Sequence, residues 1–345
     1  MNNEQIINMS KNVAKKVKAD KEIVKIMEDA IVEENDFLLI ADFAAKVNGA
    51  DIKRLERIIA YSRDPEAIYN FAKNVKKANK EELKEAMLKV DYVNKGARGY
   101  LKYTYLYEFA KDFKDLGTQE FDELAIKLEI PKLSWLFAKN IEGANIEAHQ
   151  KIVLKYPEAE WITYFARDVK GADVIVLEQA LLEYLNVYKQ YKNYVYEFAL
   201  TVKNADIQPL ADYVIKNCND WANYYFARDI VRDIEKNKAH EKVVLEYKNA
   251  ACMAQYAKYI QGADIDALTD ALISNQYASA FDFYGFACDV PNVNITKIRD
   301  VMYKRFAAGA NTYEKKYFEE IDKAEDAYKR RLEMRKCGLI DATGD

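Results

Sequence analysis

The chain has 345 residues, half of them hydrophobic and 31% charged, with 11 Gly and 5 Pro, which excludes the collagen-like, low-complexity and disordered classes. Two histidines leave almost nothing for histidine-based catalysis or metal binding. A formal charge of −4 excludes an evenly basic nucleic-acid binder, although a local basic face fits within it.

From the N-terminus, Met1 to Lys18 is polar and lysine-bearing, with no apolar run fit for a signal peptide. Nowhere does an apolar stretch approach the roughly eighteen residues a membrane span needs. Cys218, Cys252, Cys288 and Cys337 lie 34, 36 and 49 residues apart, a spacing that matches neither a metal site nor a disulfide framework. These features predict free thiols and a soluble, cytoplasmic protein with no membrane partner.

An aromatic-Ala dipeptide then recurs at Phe43, Phe71, Phe109, Phe137, Phe165, Phe198, Phe226, Tyr256 and Phe286, with gaps of 28, 38, 28, 28, 33, 28, 30 and 30 residues. A weaker copy begins at Val13. The unit reads aromatic-Ala-x-x-(Val/Ile/Phe)-x-x-Ala-(Asp/Asn), as in Tyr164 to Asp173, and offsets 0, +4 and +7 form one helical stripe. Gly49, Gly143, Gly171 and Gly262 suit a left-handed helix end. Asp51, Asn79, Asn145, Asp173, Asp206 and Asp264 follow as N-caps of a second helix. Asp64-Pro65-Glu66 opens a unit with a cap and a proline at the first helical position, and Pro209 falls in the first turn after Asp206.

Each unit is therefore a pair of helices that cannot bury both apolar stripes alone, and stacking buries them. The expected fold is all-α: an α-solenoid, a right-handed superhelix of about ten two-helix repeats of roughly 28–30 residues, forming one elongated body over residues 1–310. Residues 311–336 then form a helix with a stripe at Tyr317, Ile321, Ala324, Tyr328 and Leu332. That helix either caps the last repeat or binds a partner or a second copy, and 337–345 is a frayed tail.

The pattern resembles the helical-repeat class that includes HEAT and armadillo proteins, with a shorter unit. It is also similar to uncharacterised bacterial and phage proteins carrying Phe-Ala-x-x-Val-x-Gly-Ala-Asp repeats. The resemblance spans about residues 10–305 and implies a solenoid, with no catalytic residue or activity to carry over.

Two insertions interrupt the beat. The larger, Asp91 to Tyr105, carries Lys95, Arg98, Tyr100, Lys102 and Tyr103 near Gly96 and Gly99. It reads either as a basic aromatic contact loop or as a helix extension with a turn. The smaller, Tyr184 to Tyr194, predicts longer helices packed through Tyr184, Tyr188 and Tyr191. In the unit of Phe226, Asp233-Ile234 replaces Ala-Asp, so that helix is expected to run on through Val231 and end differently.

With the Phe at 0° on its wheel, offsets −2 and +2 fall at about 160° and 200°, opposite the core stripe. Offset −2 is aromatic at Tyr69, Tyr107, Trp135, Tyr196, Tyr224 and Tyr284. Offset +2 is basic at Lys73, Lys111, Lys139, Arg167, Arg228 and Lys258, and offset +5 adds Lys76, Lys114, Lys170 and Lys203. This predicts an outward aromatic/basic ribbon. A protein partner is one reading, single-stranded nucleic acid or a nucleotide a second, and lysine stems lying over tyrosine rings a third. Offset +3 is Asp or Asn at Asn74, Asp112, Asn140, Asp168, Asp229 and Asp289, which predicts a polar ladder between repeats.

His149 and His240 read as surface or boundary residues, and Trp135, Trp161 and Trp221 as core or seam packing. No P-loop, zinc-protease motif or dinucleotide fingerprint is present, so no catalytic residue, metal or cofactor is assigned. The leading expectation is a non-enzymatic scaffold or inhibitor that binds a protein. The alternative is a nucleic-acid or nucleotide binder, which the phage resemblance would make an anti-defence factor.

Overall fold

The computed structural model describes residues 21–92 and 99–337, and among these every regular element is helical. The chain divides into two compact units, residues 1–173 and 174–345. The first holds α1 (Lys21–Glu33), α2 (Phe37–Lys46), α3 (Ile52–Ser62), α4 (Pro65–Asn74) and α5 (Lys80–Leu88). It continues with α6 (Gly99–Asp112), α7 (Gln119–Leu128), α8 (Pro131–Asn140), α9 (Ile146–Lys155) and α10 (Ala159–Asp168). The second holds α11 (Val174–Val187), α12 (Asn193–Thr201), α13 (Ile207–Asn217), α14 (Asp220–Phe226) and α15 (Ile234–Tyr247). It ends with α16 (Ala250–Tyr259), α17 (Ile265–Ser274), α18 (Ala280–Asp289), α19 (Ile295–Phe306) and α20 (Thr312–Lys336).

The even-numbered helices α2 to α18 are the first helices of the repeats and carry the aromatic-Ala pair, except that α14 ends at Phe226 and its Ala227 opens a π-helix. Within each unit, first helices pack on first helices and second helices on second helices, so each unit is a solenoid-like stack of two layers. The repeated aromatic is buried in every described copy, and the Ala after it is buried in all but one, Ala199 being half-buried. Burying each ring contributes roughly 2–3 kcal/mol, and the small Ala lets the next helix approach.

The first helix stops at offset +3, short of the +4 and +7 positions that the stripe placed on it. Val47, Val75, Ile141, Val169, Val202, Ile260 and Val290, at offset +4, are extended C-caps. Their N–H groups donate to the repeated aromatic's carbonyl at 2.9 to 3.1 Å. A β-branched residue favours extended backbone, so the side chain stays buried while the chain leaves the helix. The turn glycines Gly49, Gly143, Gly171 and Gly262 take φ of +78° to +92°, as expected. Asp51, Asn79, Asn145, Asp206 and Asp264 each accept a backbone N–H as N-cap.

The departures from the beat have local causes. The helix of Phe226 runs on as a π-helix, Ala227–Val231, and stops at left-handed Arg232, after which Asp233 caps α15. Tyr184, in the last turn of the 14-residue α11, packs against Tyr188 and Tyr191 just beyond it, with ring centroids 4.6 and 6.0 Å apart. Helix α20 lies on α18 and α19 and buries Phe318 and Ile321. No described helix is long and apolar enough to cross a membrane.

Candidate functional site

The ribbon residues come together, with the rings turned into the stack and the cations left at its surface. Tyr69, Tyr107 and Tyr224 are buried, and Trp135, Tyr196 and Tyr284 are half-buried. A helical wheel treats only the stripe facing the second helices as covered. In a stack, each first helix is also flanked by neighbouring first helices, and a ring at offset −2 fills the cleft between them. The cations Lys73, Lys111, Lys139, Arg167 and Arg228 remain exposed.

Three of the six rings, Tyr69, Trp135 and Tyr196, reach a carboxylate of the following repeat. Tyr69 Oη donates to Asp112 Oδ2 at 2.8 Å, and Lys73 Nζ donates to the same oxygen at 2.9 Å while lying 4.9 Å over the Tyr69 ring. Trp135 Nε1 donates to Asp168 Oδ2 at 3.2 Å, joined by Lys139 Nζ at 3.0 Å, which lies 4.8 Å over the indole. In the second unit Tyr196 Oη donates to Asp229 Oδ2 at 2.6 Å. There Leu200 stands at offset +2, and Arg228 supplies the cation through Nε and Nη2 at 2.7 and 2.8 Å. Arg167 grips Asp168 in the same side-by-side way.

The electrostatics follow the geometry. The Arg167 guanidinium, with Lys139 beside it, pulls the Asp168 carboxyl down to about 2. Lys73 lowers Asp112, and Arg228 lowers Asp229. Burial, then the neighbouring Asp229 carboxylate, pushes Tyr196 up to about 12. The predicted inter-repeat ladder is thus present at Asp112, Asp168 and Asp229. Asn140 instead donates to Leu136 O of its own helix.

The remaining ribbon residues are local. Lys111 lies 5.5 Å over Tyr107 and pairs with Glu108 at 3.7 Å. Arg228 stacks on both Tyr224 and Tyr225, at 5.3 and 5.0 Å. Of the insertion, Lys95 and Arg98 lie outside the described residues, as does the side chain of Tyr100. Lys102 and Tyr103 sit on α6 and not on a loop, and Tyr103 is buried. The helix-extension reading describes that half of the insertion, because apolar side chains at helical spacing pack back on the stack.

Comparisons with protein-family models, with curated proteins and with solved structures return no match.

A second, inner ladder is not apparent from the Phe-Ala spacing. Glu28, Glu56, Asp122, Gln150, Glu178 and Glu241, all buried on the second-helix layer, accept the backbone N–H of the next repeat's N-cap residue. The partners are Asp51, Asn79, Asn145, Asp173, Asp206 and Asp264, at 2.6 to 3.1 Å. A sequence signal does exist: Glu56, Gln150 and Glu178 each lie five residues after a cap, visible once units are aligned on the cap and not on the Phe. Burial raises the carboxyls of Glu56, Glu178 and Glu241.

Both histidines are buried, contrary to expectation. His149 Nε2 lies 2.8 Å from Asp122 Oδ1, beside the inner ladder. His240 Nδ1 donates to Asn223 Oδ1 at 2.7 Å, and burial pushes its imidazole down to about 4. A polar partner inside the stack is what allows a ring of this kind to leave water. No group of three His, Cys, Asp or Glu among the described residues is placed to hold a metal ion. The four cysteines are unbonded, with Cys218 and Cys252 buried.

Proposed function

We propose that the chain is a non-enzymatic helical scaffold that binds a protein partner along the first-helix face of its repeats. The observation that carries this reading is the pairing of the ribbon's cations. Lys73, Lys139 and Arg228 each rest on a carboxylate of the ladder. A nucleic-acid backbone gains affinity from cations that neutralise its phosphates, and here it must first displace Asp112, Asp168 or Asp229. What remains accessible is ring edges flanked by both signs of charge. Tyr, Trp and Arg in mixed-charge surroundings are the residues that dominate protein–protein contacts. Highly exposed Tyr61 and Tyr277 add further rings of the same kind.

The test sets protein capture against oligonucleotide binding. The purified chain is used as bait in cross-linking and mass spectrometry, and the captured protein is then made recombinantly and titrated. A stoichiometric complex is expected, together with no salt-dependent binding of a 20-nucleotide oligothymidine. Oligothymidine binding with a steep salt slope, lost on Lys73→Glu and Lys139→Glu, would overturn the reading in favour of a nucleic-acid ligand.

A further inference from the structure

The outer ladder has four aspartates at offset +3: Asp112, Asp168, Asp229 and Asp289. Three of them accept a hydrogen bond from the ring at offset −2 of the preceding repeat, from Tyr69, Trp135 and Tyr196 respectively. The fourth preceding repeat has Ala254 where that ring would stand. The carboxylate of Asp289 makes no hydrogen bond or ion pair among the described residues. Its cations are missing too. Lys258, at offset +2, lies 5.4 Å over Tyr259, and Cys288 occupies the place that Arg167 and Arg228 hold before Asp168 and Asp229.

The missing ring leaves a space. Ala254 and Asp289 line one groove of about 410 Å³ on α14, α16 and α18, walled by Trp221, Tyr225 and Phe281. This lies within the roughly 300–1,000 Å³ of ordinary ligand sites. Phe281 is 59% exposed and lies against Tyr317 with ring centroids 5.7 Å apart, its other face open to the groove. Gly285 also lines the groove, in mid-helix, and a Cβ at that position would meet no atom within 4 Å. Glycine weakens a helix interior, and no neighbour in the chain requires it here. The charge in the groove is acidic: Arg228 is held by Asp229, Asp282 accepts from the Ser279 N-cap of α18, and Asp289 stands unpaired. Arg331 and Arg335 line a second hollow that Asp289 also lines, and neither makes an ion pair with it.

We infer that this groove receives a tyrosine or tryptophan side chain of a partner polypeptide, with its O–H or N–H on Asp289 and an adjacent lysine or arginine on the same carboxylate. The partner completes the fourth rung with the groups that the chain itself supplies to the other three. The inference rests on the protein-partner reading and assigns it a place and a chemistry.

The probe is the tetrapeptide Ac-Gly-Tyr-Lys-Gly-NH2, with Ac-Gly-Phe-Leu-Gly-NH2 as control, followed by NMR on the full chain. Saturable shifts at Ala254 and Asp289 are expected with the first peptide, at least ten-fold weaker with the control. Asp289→Asn should weaken binding about ten-fold. Ala254→Tyr should abolish it by filling the rung from within, and should raise the melting temperature more than Ala254→Phe does. Equal binding of both peptides, or unchanged binding by Ala254→Tyr, overturns the inference, as does oligothymidine seating in the groove in place of peptide. The two readings fail separately. If the wild-type chain captures a protein and Ala254→Tyr captures it equally, the groove is wrong and the scaffold stands. If no protein is captured, the scaffold falls, and the peptide titration still decides the groove.

Discussion

The backbone N–H of Asn79 donates to Glu56 Oε2 at 2.6 Å, joining the start of one second helix to the middle of the one before. The bond satisfies an N–H in the turn that the helix itself leaves unpaired, and it recurs from repeat to repeat with Gln150 replacing the acid at one rung. An uncharged acceptor therefore suffices. Glu56→Leu should cost about 1–3 kcal/mol by leaving a buried donor unmet, whereas Glu56→Gln should cost far less. Urea unfolding of the two variants checks this, and equal losses would refute it.

The same rungs make a pH signature. Burial holds Glu178 above its ordinary value in the folded chain, so it binds its proton more tightly folded than unfolded. Its contribution is fully present below the unfolded value and is lost as pH rises through the folded one. Glu178→Gln cannot ionise, so its melting temperature relative to wild type should improve between pH 4 and pH 7. A difference independent of pH in that window contradicts the assignment.

The outer ladder titrates in the opposite sense. Asp168 is held at about 2, below its ordinary value of 3.8, so its stabilisation is present above that ordinary value and is lost as pH falls toward 2. Asp168→Asn should cost about 1 kcal/mol at pH 6, since Lys139 and Arg167 are partly in water. That cost should vanish near pH 2. Thermal melts of both proteins from pH 6 to pH 2 measure the convergence.

His240 gives a third window. Its folded value of about 4 lies below the ordinary 6.5, so the unfolded chain takes up the proton first and stability falls as pH drops from 6.5 to 4. His240→Gln should flatten that slope while keeping a donor for Asn223. A slope as steep as in wild type would place the titration elsewhere.

Two glycines should respond with opposite signs. Gly143 has φ of +80° and open space where a Cβ would stand, so Gly143→Ala costs about 1 kcal/mol through backbone strain alone. Gly285 is helical with equally open space, so Gly285→Ala should stabilise by roughly 0.8–1 kcal/mol. Calorimetry of the pair decides whether conformation or packing governs each site.

The legible part of the molecule is local. Helix stops at glycine, caps at Asp and Asn, and the buried Phe-Ala pair all follow from backbone preference and side-chain spacing within a dozen residues. The burial of Tyr69, Tyr107 and Tyr224 is not legible in this way, because a wheel describes one helix and their burial depends on the neighbours flanking it. The inner ladder is hidden for the same reason. Glu56 and Glu178 look like ordinary surface residues of a second helix, and only the turn of the next repeat, 23 or 28 residues on, explains them.

Sequence alone determined that this protein is a stack of short paired helices, because apolar period, turn glycines and capping side chains act over distances the chain itself spans. Tertiary structure decided which polar groups are answered. Asp112, Asp168 and Asp229 met a ring and a cation, His149 and His240 went inside, and Asp289 was left facing Ala254. A hydrogen bond needs both partners at about 3 Å, and only the packing of one repeat on the next brings them there.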